Sequence, residues 1–321
     1  QAYYQPIFRS SSGQVCAEEA LARWVDPSLG LVEPKDFISC LEEAHLLYKI
    51  DLRMVSLIIQ DFKTKQRLGV PLLPVSINLS RFDFEQGDMV GEIVKLLQEG
   101  GFPPTLVNIE ITEAVAGRDP GFIRRQIERF HKAGFKVWMD DFGAGYSSLN
   151  VLSDFDFDLV KFDMKFMASF PANPKSAPLL SSLLDMASAL GVDTLCEGVE
   201  SRDQLIFLQN HGCDRIQGFY FQRPLPLSET IANRNRFTRE SPLEAPYFQK
   251  VGEFSLEHPF GFDGSTGAKA GILEYQNGKF HLLRSTQPYR DALEKAGLIN
   301  FSSFSKTRLP FLKEPPSAFC D

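Results

Sequence analysis

The strongest constraint on the fold is a unit that repeats along residues 1–230. A short run rich in Val, Ile, Leu or Phe ends in a polar residue, and a longer stretch with helical periodicity follows. The apolar runs are residues 3–8, 15–24, 75–79, 107–111, 136–139, 159–162, 194–196 and 215–216. Helical patterns occupy 37–66, 122–133, 179–190 and 202–210, and Gly134 and Gly191 stand where helices should stop. Strands alternating with helices at this density predict an α/β fold, a (β/α)8 TIM-type barrel. A doubly wound open sheet is the alternative. The strand ends favour the barrel. Polar residues recur where the runs stop: Glu19, Asn78, Glu110, Asp140 with Asp141, Lys161, Glu197 and Gln217. A barrel gathers such ends on one rim, whereas an open sheet spreads them along a crevice. Residues 9–13, between the first two runs, are too few for a crossover helix. The first strand is therefore predicted antiparallel, which makes the barrel irregular at its start.

The chain changes character near residue 239. Residues 240–321 hold 9 of the 28 Phe and 7 of the 20 Pro and do not continue the repeat. That aromatic content argues against a disordered linker. Segments 271–275 and 279–283 flank Gln276-Asn277-Gly278, a hairpin signal, and 289–296 has the pattern of a short helix. We read a barrel domain at 1–238 and a small C-terminal α+β extension, or a fragment of a further domain, at 239–321.

Charge and composition exclude several functions. Lys+Arg is 34 and Asp+Glu is 41, a net charge of −7. No duplex nucleic acid is expected as partner, because nothing neutralises a run of phosphates. A small phosphorylated ligand stays open, since bound metal ions can supply positive charge. The five cysteines are odd in number and form no CxxC pair, which argues against a disulfide framework and for a reducing, cytoplasmic location. The histidines are dispersed without an HExxH, so zinc is not expected. Neither a membrane-spanning run nor a signal peptide is visible. The chain opens at Gln1 inside a predicted strand, so it reads as a piece of a longer protein, which could carry a membrane tether outside this segment.

The residues at the strand ends carry the chemistry. Any one of these acids could be a solvated group or a helix cap. Asp140-Asp141 before Phe142-Gly143 could be turn chemistry, and Asn78 could make an Asx turn before Ser80. Their joint placement at successive strand ends makes that reading inadequate. Glu19, Glu110, Asp140, Asp141 and Glu197 on one rim would repel one another, and hard divalent cations relieve the repulsion. All-oxygen ligands suit Mg²⁺ or Mn²⁺. Adjacent carboxylates can serve two ions, a recurring device for phosphodiester cleavage. Lys161 on the same rim could hold the attacking water or offset phosphate charge.

These residues lie in segments that resemble the EAL-domain family, bacterial phosphodiesterases of the second messenger cyclic di-GMP. The segments, in family order, are Tyr4-Gln5-Pro6-Ile7, Glu19-Ala20-Leu21-Ala22-Arg23-Trp24, Pro34 with Phe37-Ile38, Asn78-Leu79-Ser80 and Glu110-Ile111-Thr112-Glu113. The decapeptide from Asp140 to Leu149 follows, then Lys161-Phe162-Asp163, Glu197-Gly198-Val199-Glu200 and Gln217-Gly218, with Pro224 beyond. The resemblance covers about residues 1–235.

The resemblance implies hydrolysis of cyclic di-GMP to linear pGpG with two Mg²⁺ or Mn²⁺ ions. It gives the first ion to Glu19, Asn78, Glu110 and Asp140, with Asp140 and Asp141 at the second. Glu197 would sit at the second ion or act as general base, Lys161 would position the water, and Gln217 would support it by hydrogen bonding. Arg23 would bind a phosphate, Leu21 would line the nucleotide pocket, and Gln5, Asp163 and Glu200 would contact or support the substrate. Glu113 would anchor the loop from Phe142 to Ser148. A homodimer and an upstream sensor or diguanylate cyclase module are further implications. The alternative is a non-catalytic cyclic di-GMP receptor or dimeric interaction module, but receptors of the family have usually lost metal ligands and this chain keeps them. Three positions depart from the family pattern: Ala144 for Thr, Ala22 for Leu and Cys196 for Ala. None removes a ligand.

Overall fold

A computed structural model describes residues 1–116, 119–143, 148–168, 175–252, 256, 270–276 and 279–295. Eight strands form the barrel: β1 (Ala2–Arg9), β2 (Val15–Ala22), β3 (Val75–Leu79), β4 (Val107–Thr112), β5 (Lys136–Phe142), β6 (Leu159–Phe162), β7 (Asp193–Cys196) and β8 (Arg215–Ile216). Strands β2 to β8 run parallel in chain order. The first strand is antiparallel to both neighbours: it pairs β2 with Gln5 opposite Glu19, and closes the barrel on β8 with Phe8 opposite Ile216. The expected irregular (β/α)8 barrel is the observed one. The five-residue link between β1 and β2 allows no other sense of pairing. A two-residue strand, Leu225–Pro226, adds to the N-terminal part of β1.

Local structure departs from the sequence reading in three places. The run 15–24 is not one strand: it ends at Ala22, and Trp24–Asp26 pairs with Gly30–Val32 in a separate hairpin. The helical run 37–66 is two helices, Pro34–Glu43 and Leu47–Arg67, parted where His45 adopts φ 56°. Strand β5 continues beyond 139 to Phe142, with a break in its register against β6 between Met139 and Phe142. Helices Arg81–Glu85 and Met89–Gly100 also form, the first closed by a capping box between Ser80 and Asp83. The predicted helices near 122–133, 179–190 and 202–210 appear as Pro120–Ala133, Ser176–Ala189 and Arg202–Asn210.

The period of two along a strand sorts side chains between the inside and the outside of the barrel. Ile7, Cys16, Ala17, Trp138, Leu159 and Leu195 form a small buried cluster distinct from the large core between strands and helices. Two residues beyond Leu159 comes Lys161, beyond Trp138 comes Asp140, and beyond Leu195 comes Glu197. The apolar plug thus carries the polar rim directly above it. Glu18, one residue from Glu19, points the other way and pairs with Lys65 of the long helix, whose Nζ also lies 4.8 Å from the centre of the Tyr4 ring.

At the opposite end the chain beyond residue 238 packs on the barrel. Glu240 pairs with Arg9, Ser11 Oγ donates to the carbonyl of Phe248, and Gln249 Nε2 donates to Asp193 Oδ1. Phe248 and Gln249 belong to the helix Ala245–Gly252. The expected hairpin forms from Gly271–Gln276 and Lys279–Ser285, and its Arg284 donates to the carbonyls of Val251 and Gly252. The turn residues 277–278 and the end of the predicted helix at 296 lie outside the described residues; the helix spans Gln287–Lys295. No helix among the described residues is long and apolar enough to cross a membrane.

Candidate active site

Each of the eight barrel strands brings one residue, within it or directly after it, to the same rim: Gln5, Glu19, Asn78, Glu110, Asp140, Lys161, Glu197 and Gln217. The centre of the cluster is the Lys161 ammonium. Its Nζ lies 2.7 Å from Glu110 Oε2, 2.7 Å from Glu197 Oε1, 3.0 Å from Asp140 Oδ1 and 3.5 Å from Glu19 Oε1. The Asn78 amide donates to Glu19 Oε1 at 3.1 Å, and Gln217 Nε2 donates to Glu19 Oε2 at 2.6 Å and to Gln5 Oε1 at 3.1 Å. Gln5 Nε2 in turn donates to the carbonyl of Gln222.

Burial and charge divide the carboxylates. Burial works against an ionised Glu19, but Lys161 and the Gln217 and Asn78 amides outweigh it and hold this carboxyl below its usual range. Burial pushes Glu110 well above the usual range, aided by the charges of Glu19 and Asp140 and opposed by Lys161. Glu197 is pushed up to about 7 by burial, with Glu19 and Asp140 adding to the effect against Lys161. Lys161 is desolvated too, yet Asp140, Glu110, Glu19 and Glu197 together raise it well above its ordinary value. It is a fixed cation.

The site fits a hard divalent cation by its donor set. Four carboxylates face one ammonium. Glu110 Oε1, Asp140 Oδ1 and Gln217 Oε1 are buried and accept no hydrogen bond; Asp140 Oδ1 is near Lys161 Nζ but off its hydrogen-bonding direction. Free acceptors at excess negative charge are what Mg²⁺ or Mn²⁺ binds. As the side chains lie, no three acids among the described residues are arranged to share a metal ion, because Lys161 Nζ holds the middle of the cluster. Binding an ion there would require the carboxylates to turn from the ammonium toward the mouth.

Asp141 is exposed and has φ 56°, one of two non-glycine residues in the left-handed region among those described. It lies within the register break of β5, and such strain recurs at functional sites. Burial raises its carboxyl above the usual range, with further contributions from Asp140 and Asp163. Glu113 accepts from the backbone N–H of Gly143 at 3.3 Å, at the start of the loop that it is expected to anchor; residues 144–147 of that loop lie outside the described residues.

The remaining expected residues stand around the rim. Leu21 and Arg23 follow Glu19 along β2 and the turn after it, both half-buried, and Arg23 Nη1 donates to the carbonyl of Ala22. Asp163 is buried and accepts from the N–H of Lys165 at 2.7 Å while pairing with the Lys165 ammonium at 3.2 Å. Glu200 is exposed. One buried residue of this region escaped the sequence reading. Gln204 binds the backbone of the Glu200 loop, and its signal was the Ser201-x-x-Gln204 capping box.

The fold and rim define a barrel whose mouth gathers four carboxylates around one buried ammonium. The EAL domain family profile matches residues 1–224, and the chain belongs to that family. The cyclic di-GMP phosphodiesterase RocR of Pseudomonas aeruginosa is 35% identical over 228 residues, covering 70% of this chain and 57% of RocR. The PaMucR phosphodiesterase in its c-di-GMP complex superposes with a TM-score of 0.68 at 28% identity, covering 71% of this chain and 93% of that one. The manganese/cy-diGMP complex of Klebsiella pneumoniae BlrP1 gives a TM-score of 0.62 at 27% identity, covering 70% of this chain and 56% of that one. The chain spans between 27% and 57% of the length of the first curated relatives that it matches.

Proposed function

We propose that this chain hydrolyses cyclic di-GMP to linear pGpG with two Mg²⁺ or Mn²⁺ ions. One observation carries the reading: the rim assembles Glu19, Asn78, Glu110, Asp140, Lys161 and Glu197 around one point, with buried acceptors that no hydrogen bond satisfies. Similarity to the PaMucR phosphodiesterase in its c-di-GMP complex and to the manganese/cy-diGMP complex of BlrP1 supports the choice of substrate and ion.

Glu19, Asn78, Glu110, Asp140 and Asp141 would hold the ions, which when bound lower the pKa of water and offset charge on phosphoryl oxygens. The residues of the chain do the rest. Glu197, pushed up to about 7, is matched to accepting a proton from water near neutral pH. Lys161, permanently charged, orients that water and stabilises the oxyanion. Gln217 keeps Glu19 ionised and aimed by donating to its Oε2. Arg23, with Leu21 beside it, would receive a phosphate and a base at the mouth, while Gln5, Asp163 and Glu200 line or brace it. Water adds across one P–O bond of the cyclic diester, its oxygen to phosphorus and a proton to the leaving 3′ oxygen. The proposal includes a homodimer as the working form.

The test is incubation of the purified chain with cyclic di-GMP and Mg²⁺ or Mn²⁺, with products separated by chromatography and Glu19→Ala as control. Metal-dependent pGpG from the wild type alone supports the reading. Binding without product would make the chain a receptor, and neither binding nor product would overturn the assignment of substrate.

A further inference from the structure

Gln204 stands in the first turn of the helix Arg202–Asn210 and is buried. Its Oε1 accepts from the backbone N–H of Glu200 at 2.7 Å and of Ser201 at 3.0 Å. With the Ser201 side chain accepting from the N–H of Gln204, this is an ordinary capping box. The other end of the amide does something a cap does not require. Nε2 donates at 3.0 Å to the carbonyl of Met167, in the short helix Lys165–Ala168 that follows β6.

The two segments joined this way carry the two ends of the central ion pair. Lys161 lies in β6, before Asp163 and the short helix. Glu197 lies just past β7, before the loop to Glu200. The segments already touch closely: Glu197 N–H donates to the carbonyl of Phe162, and a Cβ on Gly198 would come within 2.6 Å of the Met164 Cβ. These contacts hold the inner part of the seam. The Gln204 amide holds its outer part.

We propose that Gln204 is a positioning residue: by bonding the Met167 carbonyl it clamps the loop after β6 to the loop after β7 and so sets the spacing of Lys161 and Glu197. The inference rests on the phosphodiesterase reading for its effect on turnover. It also explains the choice of side chain. A glutamate at this position would cap the helix equally well, because only an acceptor is needed there. It could not donate to Met167.

Gln204→Glu and Gln204→Leu separate the two roles. The glutamate variant keeps the cap but sets a buried carboxylate oxygen against the Met167 carbonyl, so its melting temperature should fall by less than that of the leucine variant, which loses the cap as well. Its kcat should fall roughly 10- to 100-fold with KM changed by less than about threefold, the scale on which small misplacements of catalytic groups act. The leucine variant should lose both stability and kcat. A role confined to the cap predicts wild-type kcat for the glutamate variant, and turnover within about twofold of wild type would overturn the proposal. Amide hydrogen exchange gives a readout independent of activity. In the glutamate variant residues 163–168 should exchange faster while 200–204 stay protected; unchanged exchange at 163–168 would refute the clamp. If the wild type turns over no cyclic di-GMP, the functional reading has failed, and exchange alone decides the clamp.

Discussion

Lys161 Nζ lies 2.7 Å from Glu110 Oε2, while Glu110 Oε1, equally buried, accepts no hydrogen bond. One ammonium hydrogen-bonds one oxygen of Glu110 and offsets the charge of three further carboxyls, Glu19, Asp140 and Glu197. Such a cluster is stable only if its cation stays or if other cations join it.

Replacing Lys161 by Met should therefore do two things. Turnover should fall to background if Lys161 orients the water as proposed. Stability should fall by roughly 3–5 kcal/mol, the usual cost of leaving buried charges uncompensated. Mn²⁺ should restore part of that stability without restoring turnover, since it binds the folded chain and the lysine is still absent. Urea unfolding with and without Mn²⁺, beside product chromatography, checks both parts. A variant as stable as wild type at neutral pH would show that the cluster is not held by its ammonium.

A second carboxyl pair lies away from the rim. Asp51 on the long helix and Asp83 beside Ser80 are hydrogen-bonded to each other. Burial, with the Asp83 charge added, raises Asp51 well above the usual range. Burial pushes Asp83 up to about 6, despite hydrogen bonds from Asp51 and Ser80. The folded chain therefore binds more protons here than the unfolded chain, in a window from the ordinary aspartate value of 3.8 up to about 6 and beyond. Stability from this pair is present below that window and declines as pH rises through it. Asp51→Asn removes the need for the shared proton. The variant should gain about 1–3 kcal/mol over wild type at pH 8, and the gain should vanish near pH 4. Guanidinium unfolding at the two pH values measures the difference, and an equal gain at both would rule out a shared proton.

The rim was readable in the sequence because two periodicities agree there. Strands alternate inside and outside with period two, and parallel strands of a barrel end on one side. Glu18 and Glu19 show what that logic gives: adjacent acids on opposite faces, one bonded to Lys65 on a helix and the other facing Lys161 across the rim. What escaped the sequence depends on contacts between distant segments. The break at His45 needs one residue in the left-handed region, a choice made by packing of the two helices and not announced by a glycine or proline. The apolar run 15–24 takes in Trp24, which instead opens the hairpin with Gly30–Val32, where Trp24, Val25 and Leu31 are exposed. Gln204 falls inside the helical pattern 202–210, and nothing there marks its partner Met167, 37 residues away.

The far end of the barrel offers a test of how independent the two ends are. Arg9 Nη1 bonds Asp214 at 2.6 Å, and its Nε and Nη2 meet both oxygens of Glu240 at 2.8 and 2.9 Å. All three side chains are buried. Arg9→Met should destabilise the protein by roughly 3–5 kcal/mol, because buried Glu240 loses the guanidinium that meets both its oxygens and Asp214 keeps only Arg215, at 3.1 Å. The kcat of the folded fraction should stay within about twofold of wild type, since the apolar plug of Ile7, Trp138, Leu159 and Leu195 separates this network from the rim. Thermal unfolding and initial rates at a temperature where the variant is folded check the claim. A large loss of kcat would mean that the plug transmits strain between the ends.

Gly218 follows Gln217 at the rim, and its backbone lies against Val199. A Cβ there would stand 2.1 Å from the Val199 carbonyl oxygen and 2.3 Å from its nitrogen. Neither atom can yield alone, because Val199 N–H donates to the Gln217 carbonyl and the Val199 carbonyl accepts from Tyr220 N–H. Gly218→Ala must therefore push the loop bearing Glu197 away from the one bearing Gln217. Misplacement on the order of 1 Å costs about 100-fold in rate. Turnover should fall by roughly that factor, alongside a stability loss of about 1–3 kcal/mol for an overpacked site. Gly87→Ala is the matching control: nothing lies within 4 Å of its Cβ position, so both rate and stability should stay near wild type. Steady-state rates and melting temperatures of the two variants decide the matter. Near-normal turnover in Gly218→Ala would show that the loops after β7 and β8 tolerate separation, and that the rim is less rigid than its backbone contacts imply.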